Sequence, residues 1–216
     1  MEIVIKTCNG IPLHLDFDCS DGKLANLLSI VDKRQIFGLA FKNDESVKDF
    51  PDFLESFENL SEISFERCHL MKSVPRSLAG CRNLKKLSVL YCADFDGLST
   101  FRDMDQVEFL SLCGCGGIER ISDELLSMKN LAALDLSHCE ALEWIEMSAL
   151  PASLRILDVH DDDGLDFDND SAAGLQLVSL KIQDYGRDWQ HIPVIEHPVR
   201  KLRKVLVKRS FTGMDD

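Results

Sequence analysis

The chain has 216 residues, 45% apolar and 28% charged, which is enough for one packed or repeat domain and too apolar for a disordered tail. Its 24 Lys and Arg stand against 37 Asp and Glu, and a net charge of −13 argues against nucleic acid as the main partner. No apolar run approaches the ~20 residues of a membrane helix. The opening MEIVIKTCNG lacks the basic start and long apolar stretch of a secretory leader, so no membrane role and a reducing, cytoplasmic setting are expected, with nuclear or host-cell delivery as variants.

Residues 1–35 read as a cap. Met1 to Lys6 alternates, Asn9-Gly10 is a hairpin turn signal, and Ile11, Leu13, Leu15 and Phe17 alternate again. Ser20-Asp21 then opens a predicted helix from Lys23 to Asp32, with Leu24, Leu27, Leu28 and Val31 on one face.

From Ile36 onward the chain repeats. Leu60, Ile63, Phe65, Cys68 and Leu70 fit L-x-x-L-x-L-x-x-C-x-L. Leu84, Leu87, Val89, Cys92 and Phe95 follow, then Val107, Leu110, Leu112, Cys115 and Ile118, then Leu131, Leu134, Leu136, Cys139 and Leu142. Ile36, Leu39, Phe41 and Asp44 form an earlier copy, and Leu154, Leu157, Val159 and Asp162 a later one, both with Asp in place of Cys. Leu175, Val178, Leu180 and Gln183 give a weaker seventh copy, and Leu202, Val205 and Val207 a degenerate last rung. First positions recur every 21 to 24 residues, which is the signature of a stacked solenoid.

Residues 36–185, with about seven copies, resemble leucine-rich repeats of the intracellular, cysteine-containing type, similar to those of plant immune receptors and microbial effectors. The resemblance implies an α/β solenoid, a horseshoe with a concave parallel sheet and helical turns such as VPRSLAGCRN and SDELLSMKN on the convex side. It also implies protein binding without catalysis, and an intracellular adaptor or pathogen effector in a ubiquitin or immune-signalling pathway as an alternative. The first 30 residues resemble the start of ubiquitin, through Met1, Ile3, Lys6, Thr7, Gly10, Leu15, Ser20, Asp21 and Ile30. That segment reads either as hairpin–helix patterning in a cap or as a remnant of a ubiquitin-like domain.

Positions 4 and 6 of each copy differ by two, so both point from a short strand into the core. The ninth residue is buried at a turn, where Asn would donate its amide to the backbone and Cys a weaker thiol. Positions 3, 5, 7 and 8 face the hollow. There Leu90, Tyr91, Phe109 and Cys113 suggest an apolar patch, and Asp135, His138, Asp158, His160 and Asp161 an acidic, histidine-bearing one. These nine are the candidate partner-binding residues, and the acidic set favours a partner with a basic surface. A metal-dependent role for the Asp/His patch is a second alternative.

Known catalytic signatures are absent: no phosphate-binding loop, no dinucleotide fingerprint, no G-x-S-x-G and no H-E-x-x-H. Cys113-Gly-Cys115 is too close on one strand end for a tetrahedral zinc pair, and HDDDGLDFDNDS (160–171) fails as a calcium loop because Val159 would have to be the first ligand. That stretch is expected to be a solvated acidic loop. No cofactor is expected.

Residues 186–216 carry a net charge of +3, leaving −16 for the rest, and RKLRKVLVKR there suggests a charged edge strand closing the solenoid or a patch for an anionic partner. Trp189, Ile192, Pro193 and Pro198 are expected to cover the last rung.

Overall fold

A computed structural model describes residues 1–8, 12–16, 32–46, 48, 50, 54–162, 164–167, 175–184 and 204–209. Of the expected helix from Lys23 to Asp32 only Asp32 is described, and it is extended; the turn at Asn9-Gly10 and the aromatic and proline cover of residues 186–203 lie outside the described residues.

Thirteen strands follow one another among them: β1 Glu2–Thr7, β2 Leu13–Asp16, β3 Ile36–Asp44, β4 Glu62–Cys68, β5 Lys86–Leu90, β6 Phe109–Ser111, β7 Arg120–Ile121, β8 Ala133–Asp135, β9 Trp144–Ile145, β10 Ile156–Val159, β11 Asp166–Phe167, β12 Ser179–Asp184 and β13 Lys204–Arg209. Ten of them form one sheet in the order β13-β12-β10-β8-β6-β5-β4-β3-β1-β2. Each repeat gives one strand, and the strands from β3 to β13 pair in parallel. Leu39, Ile63, Leu87, Leu110, Leu134, Leu157, Leu180 and Val205 stand in one cross-strand row. This is the one-strand-per-repeat geometry that the leucine-rich-repeat resemblance implies.

That row corrects the seventh copy. Position 4 is Leu180 and position 1 is Leu177, both buried, whereas Val178 is 41% exposed. The repeat starting at Leu177 restores the regular step. In the copy starting at Leu60, Met71 rather than Leu70 enters the core: Met71 is buried and Leu70 only half-buried.

At the first end, β1 lies antiparallel between β2 and β3, so the expected hairpin caps the open edge. Ile3 and Ile5 of β1 are buried against the first rung, and Lys6 pairs with Glu62. At the other end, β13 is the sheet's last strand, as the charged run around Lys204 suggests.

Across the core from the main sheet, the expected convex helices are short 3-10 turns at Leu54–Ser56, Arg76–Gly80, Leu98–Phe101, Asp123–Leu125 and Met147–Ala149. They insert Leu54, Leu78, Phe101, Leu125 and Met147 into the interior. In three rungs a second, three-stranded parallel sheet, β7-β9-β11, precedes or follows those turns, with Ile121, Ile145 and Phe167 in register and buried. The sequence reading contained no such sheet.

Two side-chain ladders tie rung to rung. The ninth-position thiols of Cys68, Cys92, Cys115 and Cys139 point at the position-6 carbonyls of the preceding rung, those of Phe41, Phe65, Val89 and Leu112, at 3.7, 3.7, 3.3 and 3.2 Å. On the far side, the residue just before each repeat donates to the preceding turn. Asn59, Asn83 and Asn130 reach Arg34 O, Glu58 O and Asp105 O at 2.7, 2.8 and 2.8 Å. Gln106 and Ser153 fill the same place, bonding to Leu78 O and Leu131 O. Both ladders satisfy carbonyls where the chain leaves its strand pairing.

Candidate functional site

Six main-sheet strands, β3, β4, β5, β6, β8 and β10, lead into a sharp left-handed turn. Asn43, Arg67, Tyr91, His138 and Asp161 have φ between 53° and 62°, and Gly114 has 71°. All six occupy position 8. The turn throws that side chain out along one edge of the sheet, so the position-8 residues form a row of their own beside the flat face built by positions 3 and 5.

On the flat face, position 3 runs Gly38, Glu62, Lys86, Phe109, Ala133, Ile156, Ser179. Phe109 is 36% exposed and Ile156 40% exposed, with Ala133 between them. Beside Phe109 is a shallow hollow lined by Lys6, Glu62, Ser64, Lys86 and Ser88. The Lys6–Glu62 ion pair rims it.

At the turn edge, Tyr91 is 44% exposed, with Arg67 over its ring 5.9 Å from the centroid. Its other side rests on Gly114, where a Cβ would come within 2.4 Å of the ring. Leu90 and Cys113 are half-buried next to it, and the backbone N–H of Tyr91 donates to Cys113 O at 2.8 Å. The expected four-residue apolar patch is therefore two sites. Phe109 is level with Lys86, five residues before Tyr91, and at ~3.3 Å per residue that is roughly 16 Å along the strand.

The Asp/His residues do assemble, but not as a uniformly exposed acidic surface. Asp135 accepts from Ser111 Oγ (2.9 Å), Ser137 N (3.1 Å) and Ser137 Oγ (2.6 Å), knitting two rungs together. Asp158 is buried, between Lys181 Nζ and His160 Nδ1. Burial would raise its carboxyl, but the hydrogen bonds and charges of Lys181 and His160 outweigh that and hold it below the ordinary carboxylate range. Lys181 stands at position 5 next to Asp158 because of the corrected register. His138, His160 and Asp161 cluster at the turn edge. His138 Nδ1 lies 3.4 Å and His160 Nε2 3.7 Å from Asp161 Oδ2, and the two rings meet edge to face at 5.0 Å.

The acidic stretch after His160 is not a solvated loop throughout. Asp162 is buried at the ninth position, and Leu165 and Phe167 enter the core. Among the described residues, neither carboxyl oxygen of Asp162 has a hydrogen-bond partner. Burial, with the neighbouring carboxylates Asp161, Asp135 and Asp158 adding to it, pushes its pKa to about 8.

Of the nine candidate residues, eight are at or near the outward face, and Asp158 is buried beneath it. Sequence reasoning missed Ile156, Arg67 and Lys181. The signal for Ile156 was present, since it holds the same repeat position as Phe109.

No protein-family model matches the chain, and no curated protein matches it. The solved structures it resembles at a low level include these two. An internalin C2 from Listeria monocytogenes shares 16% identity over 83% of each chain, with a TM-score of 0.42. A leucine-rich repeat protein from Bacteroides ovatus shares 18% identity over 67% of this chain and 49% of that one, with a TM-score of 0.29. At these scores the architecture rests on the chain's own strand register.

Proposed function

We propose that the chain is a non-enzymatic protein-recognition module whose partner docks on the outward sheet face around Phe109 and Ile156. The observation that carries this reading is the row Phe109–Ala133–Ile156, an apolar strip spanning three consecutive strands with both large side chains left open to solvent. Single exposed apolar residues are common, whereas an ordered strip on a rigid sheet, rimmed by polar and charged groups, has the anatomy of an interface core. Tyr91, backed by Gly114 and topped by Arg67, adds a rigid aromatic at the turn edge. The net charge of −13 favours a partner with a basic surface. The seven described cysteines are free thiols, which suits a reducing compartment.

The test is affinity capture from a lysate with mass spectrometry, followed by titration of the purified partner. Phe109→Ala with Ile156→Ala should weaken binding at least tenfold through faster dissociation, with unchanged circular dichroism. A partner that binds this double variant as tightly as the wild type would place the interface elsewhere, the basic strand Lys204–Arg209 being the next surface to probe.

A further inference from the structure

We infer that His138, His160 and Asp161 form a binding site for a single divalent transition-metal ion, with zinc as the fitting probe. One donor atom from each residue falls within 4.8 Å of the other two. Two of the three separations, 3.4 and 3.7 Å, are already near the ~3.3 Å between ligand atoms of a tetrahedral zinc with ~2.0 Å bonds. Two imidazoles and one carboxylate suit zinc, nickel or copper and are a poor set for calcium or magnesium, which take oxygen.

The backbone holds this set in place. His138 and Asp161 occupy equivalent left-handed positions on adjacent rungs, and His138 N–H donates to His160 O at 3.0 Å. Asp158 completes the arrangement from below. Its Oδ1 lies 2.5 Å from His160 Nδ1, which fixes that side of the ring and leaves Nε2 facing Asp161. A carboxylate behind a histidine that faces a second carboxylate is the arrangement that orients and strengthens an imidazole ligand. Lys181, paired with Asp158, keeps this inner carboxylate engaged and away from the ion. Three protein donors leave one coordination position open to solvent. The site is independent of the docking strip at Phe109 and Ile156.

Isothermal titration of zinc chloride into the full chain, stripped with chelator, should show one tight site per chain, and zinc should raise the unfolding temperature. His138→Ala, His160→Ala and Asp161→Asn should each lower zinc affinity at least tenfold and abolish the zinc-dependent thermal shift. Cys113→Ser should bind as the wild type does. Cobalt should give tetrahedral visible bands that the His138→Ala variant loses. Asp161→Asn changes charge with little change of shape, so it keeps the test valid if a histidine variant folds poorly. No binding by the wild type at 100-fold molar excess of zinc, or undiminished binding by Asp161→Asn, would overturn the site. Loss of binding in Cys113→Ser with retention in His138→Ala would overturn it too.

Discussion

Asp162 occupies the place that Cys68, Cys92, Cys115 and Cys139 fill in four preceding rungs, where the side chain must donate to a carbonyl. A thiol can donate there and a carboxylate cannot; Asp44 at the same position accepts from Ser46 instead, whereas neither Asp162 oxygen has a partner among the described residues. Burial raises its pKa from 3.8 to about 8, so the fold favours the protonated acid. Stability from this group is full below about pH 4, falls as pH rises toward 8, and is then flat. Asp162→Asn supplies an amide donor and removes that dependence. It should stabilise the metal-free protein on the order of 2 kcal/mol at pH 8, less than the full linkage value because the chain relaxes around a buried charge. Thermal unfolding at pH 8 and pH 4.5 reads it, and an equal gain at both would show that Asp162 does not titrate as described. Gly114 makes a second residue-scale case. Its φ of 71° favours glycine, although five other rungs carry a side chain there, and the Tyr91 ring 2.4 Å from a would-be Cβ excludes one in this rung. Gly114→Ala should cost about 1–2 kcal/mol. In a Tyr91→Ala background only the backbone part should remain, and a double-mutant cycle in thermal stability would expose the difference.

At the scale of one strand, neighbouring residues should differ sharply. Leu136 is buried, and Leu136→Asp would place an unpaired carboxylate in the core at a cost of several kcal/mol, so the protein should not fold. Asp135 is next to it on the outward face, where its three hydrogen bonds from Ser111 and Ser137 give it a structural part. Asp135→Ala should cost about 1–2 kcal/mol and leave a cooperative transition in circular dichroism. Equal losses would mean a slipped register. The strands themselves were legible because positions 4 and 6 must be apolar in every copy. The seventh copy slipped because Leu175-x-x-Val178-x-Leu180 and Leu177-x-x-Leu180-x-Ile182 both satisfy the pattern, and only strand pairing chooses between them. That slip hid Lys181 beside Asp158 and made Asp158 look like an exposed charge. The amide ladder was written as Asn59, Asn83 and Asn130 at one repeat position, but its acceptors lie 25 residues earlier in a turn that periodicity does not place. The left-handed edge was only partly legible, because Asn43, Gly114, His138 and Asp161 are types enriched at positive φ whereas Arg67 and Tyr91 in the same row are not. Without that turn, Tyr91 looked adjacent to Phe109, and the Asp/His patch could be grouped but not resolved into the His138, His160 and Asp161 cluster at the edge and Asp158 beneath it.

Over the whole molecule, the cysteines report on how the solenoid opens. Cys68, Cys81, Cys92, Cys115 and Cys139 are buried along its length, whereas Cys8 is exposed and Cys113 half-buried. Burial lifts the Cys81 thiol to about 11 and the Cys139 thiol to about 12, so both are protonated as well as shielded at neutral pH. A thiol reagent attacks the thiolate, and these groups should therefore react only when their rung unfolds. Each rung is held mainly by its neighbours, so rungs near an end should open more readily than those in the middle. In the native protein Cys8 and Cys113 should be labelled quickly, and Cys115, which is flanked by rungs on both sides, should be labelled slowly, at a rate that rises with denaturant. Peptide mapping after timed alkylation distinguishes the sites. Denatured, unreduced protein should yield all eight thiols of the sequence. Recovery of four or fewer from fresh protein would overturn the reduced state on which the proposed compartment rests. Labelling of Cys115 as fast as Cys113 would show that the middle rungs are not the closed stack that their packing describes.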